Sequence, residues 1–166
     1  MIAKSYILAN LMGLQTKFKA AKTQKDSLFF SKLAILELCG WIEESMDDVV
    51  LTSAKMRLKD PENLKFIQKD VIKKTYAFEY EKFRFMLMRL IGLINVERLE
   101  AEMDTTIRPR FEAALEALKT ARNAEAHTHI KGVTRTINAP SLTIAQFYDV
   151  YAGLKHIDTL LRKASI

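Results

Sequence analysis

From Leu28 to Leu58 the chain contains no proline and one glycine, Gly40. So long a run without turn residues predicts a single long helix. Its centre, "LAILELCGWI", is apolar nearly all round, the pattern of a helix contacted on several sides rather than along one stripe. Such a helix needs neighbours, and the rest of the chain supplies more helix. Gly (5) and Pro (3) are scarce over the 166 residues, while Leu, Ala, Lys, Glu and Met are plentiful. The length suits one domain around one core, residues 1–166. The expected fold is therefore all-α, a compact bundle of four to five helices running mostly up and down. Gly40 beside Trp41 is expected to permit a close helix crossing.

The flanking segments carry the same periodicity. Ile7, Leu11, Leu14 and Phe18 recur at three- and four-residue steps and predict a helix over residues 2–20. "KTQKDS" interrupts it, and Lys17, Lys19, Lys22 and Lys25 around that turn read as a solvated linker. Glu43 and Glu44 read as exposed helix charges rather than site carboxylates. At "DPEN", Asp60 can accept from a free first-turn amide and Pro61 lacks the donor that would go unused there, so a helix starts here. It is expected to extend to about Met103 with a break near Gly92. Phe66, Tyr76, Phe78, Tyr80, Phe83 and Phe85 alternate with Lys and Arg in this region, and core packing is preferred to base stacking as their role.

After "MDTTIRPR", a helix is expected from about Pro109 to Ile130, ended by Lys131 and Gly132. "VTRTINAPSL" then forms a loop. Thr143 and Gln146 have capping-box spacing for a last helix, whose Ile144, Phe147, Tyr148, Tyr151, Leu154, Ile157 and Leu161 form one stripe. No internal repeat or low-complexity segment occurs.

Composition narrows the function classes. The single cysteine, Cys39, lies among apolar residues on a helix and reads as a buried structural thiol in a reducing compartment. No apolar run is long enough to span a membrane, and the amino terminus lacks the cleavage site of a signal peptide. A cytoplasmic location with no membrane contact is expected. The net charge of +6 and pI near 9.4 suit a polyanionic partner such as RNA. The charge is spread evenly, with 13 basic against 9 acidic residues up to Thr75 and 13 against 11 after it. No phosphate-binding loop, dinucleotide fingerprint or nucleophile elbow occurs.

The stretch "ARNAEAHTHI", residues 121–130, is where the residues best suited to chemistry gather. Phe111, Leu115 and Leu118 form the core stripe of the penultimate helix, and Arg122 continues it, placing a guanidinium at the edge of an apolar seam. Arg122 and His127 are separated by about 140° around the axis, with Asn123 and Ala126 between them in angle. One straight helix does not bring both tips onto one substrate. Ala121, Ala124 and Ala126 would let a second copy approach closely, and two-fold symmetry would gather two arginines, two asparagines and two histidines in one cleft. There, one imidazole can take the proton of a ribose 2′-hydroxyl while a protonated one assists the leaving 5′-oxygen. Arginine offers a planar charged fork to the phosphate, and Asn123 can orient the phosphate or an imidazole. His127 and His129 point about 200° apart on a helix, which makes a zinc site a poor alternative. No metal or cofactor is expected. His156, alone on the last helix, reads as surface or core filler.

"RNAEAH" resembles the Arg-x4-6-His signature of the HEPN superfamily (higher eukaryote and prokaryote nucleotide-binding domain), with that family's polar residue directly after the arginine. The position is similar too, at the end of a late helix followed by a loop and a closing helix. The resemblance implies a HEPN-like bundle and a homodimer with a composite, metal-independent endoribonuclease site, of the kind used in toxin–antitoxin and antiviral defence systems. Arg122, Asn123 and His127 would be its catalytic residues. It also implies an antitoxin or nucleotidyltransferase as a possible partner. Some relatives carry a tyrosine two residues beyond the histidine; His129 stands there, as an auxiliary candidate. The alternative is a non-catalytic HEPN-like module that binds RNA, a nucleotide or a partner protein. A helical scaffold subunit is the third reading.

Overall fold

The long helix expected from Leu28 begins earlier. In the computed structural model, which describes residues 2–126, 129–130 and 136–163, α2 spans Gln24–Arg57, about 51 Å at 1.5 Å per residue. Thr23 sets its start, the side-chain oxygen accepting from the Asp26 amide at 3.1 Å. Thirteen of its residues are buried, among them Ala34, Leu38, Ile42, Met46 and Val50. It is the helix against which the others pack, as its all-round apolar centre implies.

Helix α1, Ser5–Lys19, returns along α2 as an antiparallel hairpin, with Ile7, Leu11 and Leu14 buried at the joint. Trp41 Nε1 donates to Ala3 O at 2.9 Å and Asn10 Nδ2 to Glu37 Oε2 at 3.4 Å. The four lysines near the turn are exposed, as expected of a solvated linker. The helix announced by "DPEN" is short. α3 covers Pro61–Phe66, with Asp60 Oδ1 accepting from the Glu62 amide at 2.9 Å. It widens into a π-helical stretch, Ile67–Ile72, that buries Ile67 and Val71. An irregular segment, 73–79, follows, so the region is not the continuous helix that was expected.

Helices α4, Tyr80–Ile91, and α5, Leu93–Glu102, meet at Gly92, whose φ of 80° lies in the left-handed region that glycine alone adopts at little cost. The expected break is there. α6 spans Ile107–Ala126, two residues earlier at its start than expected because Asp104 caps it, Oδ1 accepting from the Thr106 and Ile107 amides at 2.7 and 3.1 Å. Ile130, the expected helix end, is not helical, and the proposed terminators Lys131 and Gly132 lie outside the described residues. α7 spans Pro140–Lys163. Its capping box at Thr143 does not form, since the helix starts with Pro140 in the first turn and Thr143 is buried inside it. Its stripe is buried at Phe147, Leu154, Ile157 and Leu161, whereas Tyr148 is exposed.

The described residues thus form seven α-helices and no strand, more segments than the four to five expected, because Gly92 and the irregular segment after Ile72 divide one predicted helix. α1, α2, α6 and α7 enclose the centre. α7 lies alongside α2 in the same sense, with Trp41 against Phe147 (ring centroids 5.2 Å apart) at one end and Arg57 donating to Leu161 O at the other. α6 runs opposite to α7, as the contacts Arg110 to Asp149 (2.5 Å) and Asp104 N to His156 Nε2 (3.1 Å) require. Gly40 is exposed, with nothing near a hypothetical side chain. The close crossing falls instead at Gly153 of α7, which packs against the Phe111 ring of α6. One contiguous apolar cluster joins all of these elements. No helix among the described residues is long and apolar enough to cross a membrane.

Candidate functional site

Phe111, Leu115 and Leu118 are buried to 1% exposure or less and fix α6 on the core. Arg122 continues their stripe one turn on, where the core ends. Its side chain is 36% exposed, and its guanidinium lines a cleft of about 610 Å³. The floor is apolar, from Met46, Ile72 and Met86. The walls are polar: Glu43 and Asp47 come from adjacent turns of α2, and Lys73, Thr75 and Tyr76 from the segment after the π-helical stretch. Without that irregular segment these three residues would not stand at the rim.

Arg122 Nη2 lies 3.5 Å from Glu43 Oε1, an ion pair without hydrogen-bond geometry. A planar guanidinium has five donors, and this contact leaves most of them to the cleft. Asp47 has no such counter-ion. Burial raises its carboxyl to about 6, with the nearby Glu43, Asp48 and Glu44 charges adding to the effect. Beneath the site, burial pushes the Cys39 thiol up to about 12, and its Sγ sits 4.0 Å from Leu118 O. Cys39 is thus the buried, inert thiol its surroundings implied.

The other expected site residues are distributed differently. Asn123 is exposed and does not line the Arg122 cleft. His129 is exposed on non-helical backbone, and His127 lies outside the described residues. His156 is structural, its Nε2 accepting from the Asp104 amide and so bracing the residue that caps α6. Ala121 and Ala124 line an apolar groove of about 680 Å³ with Ala113, Ala117 and Ile35, while Ala126 is exposed. This larger groove is mostly apolar, with the carboxylates of Glu116 and Glu125 also lining it, whereas the smaller Arg122 cleft sets a guanidinium among acidic, basic and aromatic side chains.

Four polar residues of the cleft carry no site signal of their own in the sequence: Asp47, Lys73, Thr75 and Tyr76. Its sequence context gives Glu43 the look of an exposed helix charge rather than a site carboxylate. The aromatic pattern assigns Tyr76 to the core, yet it is 82% exposed, and Phe66 and Phe85 are exposed to a lesser degree. For Tyr76 the cause is the lost helix, since an irregular segment has no period that turns every aromatic inward. Phe85 lies about 200° from Phe83 and carries Arg89 over its face, 5.1 Å from the centroid. Only "EESMDD", with acids at i and i+4 facing one side, hinted at Glu43 and Asp47.

The chain matches no family model, no curated protein and no solved structure.

A second charged cluster lies away from the Arg122 cleft. Glu100, whose side chain is 11% exposed, accepts from Tyr80 Oη (2.9 Å), Arg84 Nε (2.8 Å) and Arg84 Nη2 (3.1 Å), and Arg108 lies 3.6 Å away. Burial raises the Glu100 carboxyl, but hydrogen bonds from Arg84 and Tyr80 outweigh it and leave the group below its ordinary value. Burial and the Glu100 hydrogen bond raise the Tyr80 phenol. A phenol held protonated and an arginine pair already committed to carboxylates make a structural clamp between α4, α5 and α6.

Proposed function

We propose that the chain is a HEPN-type, metal-independent endoribonuclease acting as a homodimer, with Arg122, Asn123 and His127 as its catalytic residues. One observation carries the reading: Arg122, the arginine of the "RNAEAH" motif, opens onto a cleft instead of being sealed in the core. A half-exposed guanidinium at the end of a core stripe is a permanent charge held at a place of limited solvent, where it acts most strongly on a phosphate. The alanine-lined groove on α6 supports the dimer, because small side chains let a second copy's helix come close. The net charge of +6 favours an RNA partner.

In this reading one His127 takes the 2′-hydroxyl proton as that oxygen attacks phosphorus. The P–O5′ bond breaks, and the second His127, protonated, gives its proton to the leaving oxygen. Arg122 binds the charge that builds on the phosphoryl oxygens. Products are a 2′,3′-cyclic phosphate and a 5′-hydroxyl, and DNA is not a substrate. A role in toxin–antitoxin or antiviral systems, with an antitoxin or nucleotidyltransferase as regulator, accords with this activity.

The test is cleavage of labelled RNA in EDTA by the wild type, Arg122→Ala and His127→Ala. Activity is expected from the wild type and from neither variant alone; a mixture of the two should recover only part of it, since each hybrid dimer keeps one Arg122 and one His127 and water must stand in for the missing second imidazole. A wild type no more active than His127→Ala refutes the enzyme. One observation favours the non-catalytic alternative: Glu43 already faces Arg122 at 3.5 Å, matching its charge internally. RNA binding that survives His127→Ala with no product at any protein concentration would establish that reading instead.

A further inference from the structure

The Arg122 cleft presents more recognition chemistry than phosphate binding uses. Asp47, Lys73 and Tyr76 line it, and none of the three side chains makes a hydrogen bond or ion pair with another described residue. A half-buried carboxylate left without a partner among Glu43, Glu44 and Asp48 is unfavourable for folding, the usual mark of a group kept for a ligand. Tyr76 is more exposed than any other large aromatic except Tyr6, and it stands at the rim of the same cleft. An open aromatic face, an unpaired carboxylate and an unpaired ammonium in one cavity suit a planar heterocycle with both donors and acceptors on its edges.

We propose that this cleft reads a guanine base of single-stranded RNA, Asp47 accepting from guanine N1–H and N2–H2, Lys73 donating to O6 or N7, and Tyr76 stacking on the ring. Guanine alone among RNA bases presents two adjacent donors on its pairing edge, the pattern a carboxylate accepts with both oxygens. Adenine and cytosine each set a ring-nitrogen acceptor against the carboxylate, and uracil flanks its one donor with carbonyls, so each meets repulsion where guanine meets two hydrogen bonds. Stacking on Tyr76 adds affinity for any base, and the carboxylate supplies the choice. The proposal rests on the ribonuclease reading for its polymer substrate, with Arg122 left to the phosphate beside the selected base.

Binding of fluorescein-labelled 2′-fluoro pentamers, UUGUU against UUAUU, tests this on the wild-type chain, because such oligonucleotides lack the attacking hydroxyl and are not cut. The expected result at pH 7.5 is about ten-fold tighter binding of the guanine pentamer, the order of one good bidentate base contact. Asp47→Asn should bring the ratio close to one, because an amide offers a single acceptor oxygen. Tyr76→Ala should weaken both pentamers by about ten-fold, and Tyr76→Phe should leave them unchanged. The wild type should also lose its preference as pH falls through about 6, where Asp47 takes up a proton in the field of Glu43, Glu44 and Asp48 on its own helix and of Lys73 and Arg122 across the cleft. Equal affinity for the two pentamers overturns the proposal, as does a preference that Asp47→Asn leaves intact. Competition by free GMP with no preference between pentamers overturns the assignment to RNA and gives the site to a free guanine nucleotide. Cleavage in EDTA without a guanine preference removes this inference alone, whereas a guanine preference without cleavage removes the nuclease and leaves the base site.

Discussion

The helix that carries Arg122 approaches α7 most closely at Gly153, and replacing that glycine with alanine tests the crossing. An added Cβ would lie 2.5 Å from Phe111 Cδ2 and 2.7 Å from Phe111 Cβ. Carbon atoms in contact rest at about 3.5–4.0 Å, so the overlap is about 1 Å. Phe111 has no room to yield. It is 0% exposed, and its ring stands edge-on to Tyr80 at 6.0 Å, whose hydroxyl is tied to Glu100. The clash also involves atoms next to the backbone, so it moves α6 itself rather than the tip of a flexible chain. Overpacking of this kind costs about 3 kcal/mol, and alanine recovers about 1 kcal/mol of helix propensity over glycine. The net loss is about 2 kcal/mol, or a fall in Tm of about 4–8 °C for a chain of this size. Gly40→Ala is the control: nothing lies within 4 Å of a Cβ there, and the site is exposed in the middle of α2. It should raise stability by up to about 1 kcal/mol. The assay is thermal unfolding followed by circular dichroism at 222 nm. A Gly153→Ala chain as stable as the Gly40→Ala chain would refute the crossing and with it the placement of α6.

Asp47→Asn should stabilise the fold at neutral pH. A carboxyl raised to about 6 in the folded state holds its proton more tightly than in the unfolded chain, so ionising it opposes folding; stability from this group falls as pH rises from about 4 through 6, and the variant's gain in Tm should be present at pH 7.5 and absent at pH 4. Glu100→Gln removes the carboxylate shared by Tyr80, Arg84 and Arg108; because both arginines keep some solvent, the expected loss is about 1–3 kcal/mol, less than for a fully buried pair, read as a lower urea midpoint at unchanged slope. No loss would mean that the clamp is passive. Cys39, pushed up to about 12 by burial, should resist iodoacetamide at pH 8 until urea unfolds the chain. Prompt alkylation of the native protein would contradict its burial against Leu118.

What could be read from the sequence, and what could not, follows from the range of the interactions. Helix type and the clearest helix start are local: Asp60 with Pro61, the break at Gly92 and the stripe Phe111, Leu115, Leu118 and Arg122 each lie within a turn or two of the residues they involve, and the structure keeps them, whereas the starts of α2, α6 and α7 fall a few residues earlier than the sequence pattern places them. Gly40 and Gly153 differ in nothing that a window of neighbours records, since both are helix-interior glycines beside apolar residues. What separates them is Phe111, 42 positions before Gly153. The site divides in the same way. Arg122 was legible because an arginine on an apolar stripe is a local anomaly, whereas Glu43 was not, because its partner is 79 residues away and its own helix gives it the look of a solvated charge. Asp47 follows from Glu43 by helical repeat once one of them is known to face a cleft. Tyr76 required the π-helical stretch, a departure that hydrophobic period does not encode, to bring it out of the core pattern and onto the rim. The cleft is therefore a product of tertiary contact between four pieces of local structure, α2, the segment after the π-helical stretch, α4 and α6, and a single altered crossing, such as the one at Gly153, should disturb the Arg122 to Glu43 spacing without touching either residue.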